Sequence, residues 1–321
     1  MKACLGWRWR VALLMAAASI AASAQTAPAP APCPPQAQPA TQQQLQAAAA
    51  NARDRGMLWR ITRDGRTSYL YGSIHLGKLD WSLPGPRVRA ALLATDALAL
   101  ELDPGDPQII ARMQPPAGAA TPKLSPALKE RLARQADAAC VPRELLAAQH
   151  PVMQALTLTV LAARWQGLEA GYAQELALSG LARAGQRQVV SLESPESQMA
   201  ALIPRAAAEA ERMVAQMLDQ LEQGVALRGM ARLAAAWERG DLADLADYER
   251  WCECITSDDD RRQMHRLLDD RNPGLAAGIE ALHRDGRTVF AAVGALHMTG
   301  GKGLPVLLQQ RGFGVERLAL Q

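Results

Sequence analysis

The sequence is short of long apolar runs, of net charge and of histidine. After its first residues, no segment approaches the roughly 20 apolar residues that a membrane-spanning helix needs. We therefore expect no transmembrane segment in the mature chain. The formal charge is only +3, whereas a protein that binds nucleic acid usually carries a strongly basic surface. A nucleic-acid partner is therefore not expected. Histidine occurs five times, so the position of each one is informative.

The N-terminus has the three-part pattern of a secretory signal peptide. A basic start precedes an apolar run of about 12 residues, and a small-residue cleavage site follows. The run is too short for the alternative, a membrane anchor. The three parts are Lys2 with Arg8 and Arg10, then Val11 to Ala22, then Ala22-Ser23-Ala24. We predict that residues 1–24 are a signal peptide and that the mature protein is periplasmic or secreted. Cleavage removes three basic residues and no acidic ones.

Four cysteines follow the predicted cleavage site: Cys33, Cys140, Cys252 and Cys254. In an exported chain an even count permits two disulfides, with three possible pairings. The alternative for Cys252 and Cys254 is a soft metal site, but a single Cys-x-Cys without a partner pair is weak support for it. We expect at least one disulfide, formed by Cys140 or by the Cys252/Cys254 pair.

Composition and pattern divide the mature chain in two. Residues 25–56 are rich in Ala, Pro and Gln and are predicted to be a flexible linker. Residues 57–321 alternate short apolar strands with helices, which predicts an α/β domain around a mixed or parallel sheet. A hairpin is expected around Asp64-Gly65, and an Ala-rich helical stretch runs from Arg205 to Arg239. Chemistry in such sheets collects at the carboxyl ends of the strands.

Two of the histidines, His75 and His297, stand in matching frames. Each follows an apolar strand, a glycine, a small residue and an aliphatic residue. This weak internal repeat indicates two strand ends placed alike, with both imidazoles directed into a crevice. Two imidazoles and a carboxylate suit a divalent transition metal, and Glu101 and Glu193 also end predicted strands. The alternative is two core histidines satisfied by backbone carbonyls. The other three, His150, His265 and His283, are expected to be surface or helix-capping residues.

Several blocks of the sequence, in order, resemble the TraB/GumN family, which includes PrgY-type pheromone shutdown proteins and the animal Tiki proteases. The blocks are Leu70 to His75, Leu98 to Asp103, Gly171 through Ser194 with Gln198, Arg271-Asn272, and Val293 to His297 with Gly300. The resemblance implies a mixed sheet built from two pseudo-symmetric halves, with a large helical insert. It also implies a metal-dependent hydrolase centre that contains His75, His297 and Glu101. Tiki relatives are described as metalloproteases.

Other polar residues at the predicted strand ends suggest further roles. Glu193 is the predicted general base, since it ends a different strand from Glu101. Arg271 is predicted to grip a substrate carboxylate or to clamp Glu193 through two hydrogen bonds. Asn272 is predicted to orient water or a carbonyl. The alternative for Arg271-Asn272 is a helix junction before Pro273, and Asp103 is equally compatible with a turn.

Two functions of different class fit these residues. The first is an exported metal-dependent hydrolase, most simply a peptidase, with zinc, manganese or cobalt as its metal and a peptide or small molecule as its substrate. The second is a non-catalytic periplasmic protein that binds a peptide or small molecule in the same crevice. Hydrolysis without metal, with one histidine as general base, is a third alternative.

We predict that the exported protein begins at Gln25, because signal peptidase cuts after the small-x-small site Ala22-Ser23-Ala24. N-terminal sequencing of the protein from a periplasmic or secreted fraction measures this directly. A protein that still begins at Met1 in that fraction would contradict the signal-peptide assignment.

Overall fold

The structure is a computed structural model, and it describes residues 33–35, 38–115 and 121–320. The predicted signal peptide, residues 1–24, lies outside these described residues. The strands are β1 Met57–Arg63, β2 Arg66–Ser73, β3 Ala97–Leu100, β4 Gln188–Ser191, β5 Val289–Gly294 and β6 Gly314–Leu318. Across the described ranges, no helix is long and apolar enough to cross a bilayer.

Fifteen α-helices of very different lengths surround the strands in the described part of the chain. They are α1 Gln42–Ala50, α2 Pro86–Leu93, α3 Pro107–Arg112, α4 Pro126–Ala138, α5 Arg143–Ala147, α6 Pro151–Ala162, α7 Gln174–Ala184, α8 Pro195–Leu202, α9 Ala207–Glu222, α10 Val225–Glu238, α11 Leu242–Ala246, α12 Tyr248–Trp251, α13 Asp258–Leu267, α14 Asn272–Arg284 and α15 Leu304–Gln310. Short 3-10 helices span Leu79–Trp81, Ala163–Gln166, Ala170–Tyr172 and Ala295–Met298.

The six strands form one mixed sheet in the order β4-β3-β5-β2-β1-β6, which confirms the predicted mixed α/β architecture. The first four of these strands are parallel, and β1 and β6 are antiparallel to their neighbours. The predicted β1–β2 hairpin turns at Asp64 and Gly65, whose φ angles of 50° and 74° are positive. Two successive positive φ angles suit the twist of a two-residue hairpin.

The two histidine segments lie on adjacent strands of this sheet. β2 and β5 run parallel, with Ser73 opposite Gly294, so the two matching segments are offset by one residue. β3 and β5 are buried along their whole length, as expected of parallel strands covered on both faces. The residues that follow these three parallel strands therefore lie together, at the end of the sheet where the carboxyl ends of the strands meet.

A large helical insert, residues 107–284, is interrupted only by β4. Part of it has its own hydrophobic core, formed by α4, α6 and α9 around Leu132, Leu158, Val214 and Leu218. The predicted Ala-rich helical stretch is two helices, α9 and α10, because Gly224 between them has a φ of 69°. The insert lies beside the sheet edge that carries the histidine segments, since α7 and β3 are in contact.

The predicted flexible linker contains one ordered element. Helix α1 forms within it, capped by a reciprocal pair of hydrogen bonds between Thr41 and Gln44, and Ala48 is buried. Ala and Gln both favour helix, so a segment with no apolar stripe is still able to form a helix when it is capped and packed. Residues 42–50 of the predicted linker therefore form a helix.

The three remaining histidines only partly follow the prediction. His265 is exposed and pairs with Asp269, as expected. His150 caps α6 by accepting from the Val152 N–H, but it is buried rather than on the surface. His283 is buried against the ring of Phe313, so its assignment as a surface or capping residue is wrong. The charged neighbours in its helix segment masked this buried position.

The four cysteines that the structure describes form two disulfides, Cys33–Cys140 and Cys252–Cys254, which confirms the expected bridge and leaves no free thiol there for the soft metal site. The first joins the segment before α1 to the helical insert across 107 residues of chain. The second closes a loop of minimal length, with a sequence separation of 2.

The two bridges are expected to differ in their effect on stability. Cross-linking stabilises mainly by restricting the unfolded chain, and the effect grows with loop length. Cys140→Ser should therefore lower the free energy of unfolding by about 2–4 kcal/mol, and Cys254→Ser by clearly less. Urea denaturation of the oxidised proteins measures both values. Equal losses in the two variants would contradict the loop-length argument.

Candidate metal centre

The carboxyl ends of three neighbouring strands meet at one edge of the sheet. His75 lies two residues after β2, Glu101 directly follows β3, and His297 lies in the 3-10 helix that follows β5. The backbone N–H of Glu193, just beyond β4, donates to the carbonyl of Glu101, so the fourth strand end lies beside the third. The order of the parallel strands thus gathers side chains that are far apart in the sequence.

Gly294 marks the point on which the three predicted ligands converge. A Cβ at this position would lie 3.1 Å from His75 Nε2, 3.2 Å from Glu101 Oε1 and 3.7 Å from His297 Cδ2. His75 Nε2 and Glu101 Oε1 are 3.7 Å apart, and the Gly294 N–H donates to Glu101 Oε1 at 2.8 Å. The missing side chain leaves room among these groups. Imidazole and carboxylate groups are the kinds of ligand that divalent transition metals take in proteins.

Each imidazole is held through its Nδ1 atom. His75 Nδ1 lies 3.1 Å from a carboxylate oxygen of Glu175, which also accepts from the Ser73 hydroxyl. His297 Nδ1 lies 2.6 Å from Asn272 Oδ1. The Asn272 amide nitrogen donates to the carbonyl of Lys302, so its oxygen faces His297 Nδ1, which must carry the proton. Histidines that bind metals are usually fixed in this way through the nitrogen that does not bind.

The electrostatic environments of the two histidines are opposite. The negative charge of Glu175 raises the pKa of His75 to about 9, although the side chain is 63% exposed towards the crevice. Burial lowers the pKa of His297 to about 4. Burial would raise the pKa of Glu101, but the charges of His75, His297 and Arg271 outweigh it and lower this pKa to about 2. Near neutral pH the site therefore holds a charged His75, a neutral His297 and an ionised Glu101.

Arg271 joins the two carboxylates of the site. Its guanidinium contacts Glu101 Oε2 and binds Glu193 through two hydrogen bonds of 3.0 and 2.6 Å. Burial opposes the charge of Arg271, but the hydrogen bonds that it donates to Glu193 and the charge of Glu101 still raise its pKa above the ordinary value. This is the two-bond clamp predicted for Arg271. Arg271 is also the residue that caps the start of α14, so the helix-junction alternative holds as well.

Several predicted roles change once the contacts are known. Glu193 accepts two hydrogen bonds from the Arg271 guanidinium and lines a separate depression with Ser194 and Arg266. The geometry therefore favours Glu193 as the anchor of Arg271 rather than as the general base. Asn272 orients His297 rather than water or a carbonyl. Asp103 accepts from the Gly105 N–H and pairs with Arg183, which is a structural turn.

The sequence analysis did not identify Glu175, a residue of the helical insert that contacts His75. It lies in the first turn of α7, and the backbone of Gln174 donates to the carbonyl of Ile74. Gly77 permits this approach, since a Cβ there would lie 2.2 Å from the carbonyl oxygen of Tyr172. A glycine two residues after His75 was the available signal. Gln198 also reaches the site, with Nε2 3.5 Å from Glu101 Oε2.

The cluster lies against a crevice of about 680 Å³. His75, Glu101, Glu175, Arg271 and His297 all line it, and aliphatic side chains of the helical insert form the rest of the wall. Among the described residues, no group of three or more His, Cys, Asp or Glu side chains is arranged to hold a metal ion. Arg271 Nη1 lies 3.3 Å from His297 Nε2, so a cationic group already faces one of the candidate ligand atoms.

The comparison with protein families gives one match. A family model described as the TraB/PrgY/gumN family matches residues 57–317. The chain belongs to this family. The matched range contains every strand of the sheet except the last residue of β6, together with all the site residues discussed above. No curated protein and no solved structure matches the chain. For this TraB/PrgY/gumN protein, the chemistry of the site must therefore be argued from its own residues.

A side chain at Gly294 should disturb the centre more than the fold. In Gly294→Ala the new Cβ would press on His75 Nε2 and Glu101 Oε1, both of which are side-chain atoms that have room to shift. We expect metal affinity to fall by about 10- to 100-fold, as for other changes that misplace metal ligands. The free energy of unfolding should fall by no more than about 1–3 kcal/mol.

The matched control is Gly301→Ala, because a Cβ at Gly301 meets nothing within 4 Å. Titration calorimetry with zinc and with manganese measures the affinities, and urea denaturation measures stability. Unchanged affinity in Gly294→Ala, with the control also unchanged, would contradict a metal site at this position.

Proposed function

We propose that this chain is an exported metal-dependent hydrolase that cleaves an amide bond, as a peptidase does. The observation that carries the proposal is the convergence of His75, His297 and Glu101 around Gly294, with both Nδ1 atoms held from behind. Such orientation is typical of metal ligands and costs side-chain freedom that an ordinary core histidine need not lose. The resemblance to Tiki metalloproteases supports the same class of reaction.

The residues of the proposed site would have different roles. His75, His297 and Glu101 would hold the ion, and Glu175 and Asn272 orient the two imidazoles. A divalent transition-metal ion supplies Lewis-acid chemistry at such a site, which polarises a carbonyl group and activates water near neutral pH. Glu175 Oε2 has no hydrogen-bond partner in the described part of the chain. It is therefore a better candidate than Glu193 to accept a proton.

Arg271 favours a second candidate function. Its guanidinium already pairs with Glu101 and Glu193 and faces His297 Nε2, so both carboxylates have a cationic partner from the chain itself. A site of this kind could bind a peptide or small molecule in the crevice without cleaving it. Measuring the metal content together with peptide cleavage separates the two candidates, because only the hydrolase requires a bound metal.

Substitution of either histidine by alanine should remove metal and activity together. We expect His75→Ala and His297→Ala each to lower metal affinity by more than about 100-fold, beyond the effect of an outer-shell change. Cleavage of a capped peptide library should fall in parallel. Elemental analysis of the purified proteins gives the metal content, and mass spectrometry of the library detects cleavage.

His265→Ala is the control, since this exposed histidine contacts only its own helix turn through Asp269. It should retain full metal content and activity. A wild-type protein that binds no metal but still binds peptides would contradict the proposed hydrolase and support the alternative of a non-catalytic binding protein.

A further inference from the structure

The crevice beside the candidate centre has an aliphatic wall. Side chains from five α-helices line it, including Leu156 and Val160 of α6, Leu176 of α7, Leu202 of α8, Met230 and Leu233 of α10, and Leu267 of α13. Among the described residues, no Phe, Trp or Tyr lines it. The largest rings of the described chain pack elsewhere, as Trp81 does against Trp237. The wall therefore offers flexible methyl and methylene groups and no flat surface for stacking.

These side chains form a second apolar face on their helices. The first apolar face of α6 is already buried in the core of the insert. On α6, Ala155 and Leu158 are buried in the core of the insert, whereas Leu156 and Val160 are only half-buried because they face the crevice. A contiguous apolar surface of this kind in an otherwise balanced protein usually marks a ligand site.

The backbone around the crevice favours a chain without amide groups. The helices satisfy their own peptide groups, and the strands that reach the crevice, β2, β3 and β5, are all interior strands of the sheet. The sheet edges are β4 and β6, so an extended peptide finds no free strand to pair with along this wall. Burying unpaired peptide groups against aliphatic side chains is costly, whereas burying methylene groups is favourable.

The charges at the floor favour a neutral linkage. The polar groups there already have partners from the chain, since Arg271 contacts Glu101 and Glu193, and His75 Nδ1 lies 3.1 Å from a carboxylate oxygen of Glu175. A free carboxylate in the crevice would lie near the carboxylates of Glu101 and Glu175. An ester or an amide carries no charge and presents one carbonyl group.

We infer that the ligand of this crevice carries a long aliphatic chain joined through a neutral amide or ester to the group cleaved. The inference rests on the proposed function for the reaction, and it names the substrate class. The aliphatic chain lies along the helical wall, and the carbonyl faces His75, Glu101 and Gly294. Water attack would break the acyl bond and release the aliphatic acid and an amine or alcohol.

Binding of neutral amides of increasing length tests the inference without any cleavage. Hexanamide, octanamide and decanamide are titrated into the mature protein by calorimetry, beside decanoate and the capped dipeptide N-acetyl-Leu-Leu-amide. We expect affinity to rise by about fourfold per methylene, with decanamide tighter than decanoate and the dipeptide. Affinities that do not depend on chain length, or a dipeptide that binds as tightly as decanamide, would overturn the inference.

Two variants of α6 give the matched comparison. Val160→Gln places a polar group on the crevice wall and should weaken decanamide by about tenfold or more. Leu161→Gln changes the next residue, which is equally half-buried but does not line the crevice, and should bind as the wild type does. Equal weakening in both variants would show a general loss of structure instead of a lining effect and would count against the proposed wall.

Two further ligands identify the source of the acyl group. Monodecanoylglycerol represents a lipid, and N-decanoyl-Gly-Gly-amide represents a lipidated peptide; failure of both to bind would overturn the inference. Chain-length-dependent binding by a protein that holds no metal would uphold the aliphatic ligand and reject the hydrolase. Metal-dependent cleavage of capped peptides without any binding of the amides would uphold the hydrolase and reject the aliphatic ligand.

Discussion

A buried carboxylate at the end of a central strand governs the architecture of the site. Glu101 is only 5% exposed, and an unpaired buried charge would cost several kcal/mol. The structure surrounds it with the Gly294 N–H, the Arg271 guanidinium and the amide of Gln198. Arg271 in turn needs Glu193, because one carboxylate cannot use all of its donors. The carboxylate of Glu101 thus connects the end of β3 with the end of β5 through Gly294, with the start of α14 through Arg271, and with α8 through Gln198.

The matching histidine segments show how one local pattern gives two different environments. Both segments follow parallel strands, so both histidines reach the same sheet edge. His297 lies in a 3-10 helix and is 3% exposed, whereas His75 faces the crevice. A carboxylate supports one and a neutral amide supports the other. The repeat therefore determines the placement of the histidines, whereas the charge of Glu175 and the burial of His297 determine their protonation.

The central strands β3 and β5 were predictable because each is a short apolar run, and the hairpin at Asp64-Gly65 has local turn chemistry. His75, His297 and Glu101 were predictable because strand ends share an edge in a parallel sheet. Arg271 and Glu101, in contrast, are 170 residues apart, and no periodicity specifies which carboxylate a guanidinium will meet. Glu175 was hidden for the same reason, since its position depends on how the insert folds back on Ile74. Helix α1 was hidden because Ala and Gln indicate a linker and a helix equally.

Arg271 would leave one oxygen of Glu101 free for the proposed metal ion, because the guanidinium contacts the other. Oε2 contacts the guanidinium, whereas Oε1 faces His75 Nε2 and the Gly294 N–H. The guanidinium also faces a second proposed ligand, since Arg271 Nη1 lies 3.3 Å from His297 Nε2. Arg271 retains its bonds to Glu193 and to the carbonyl of Leu267 if that single contact is lost. The clamp on Glu193 therefore does more than neutralise charge. It holds Arg271 independently of His297, so that the imidazole nitrogen can be released without leaving the guanidinium unpaired in a buried position.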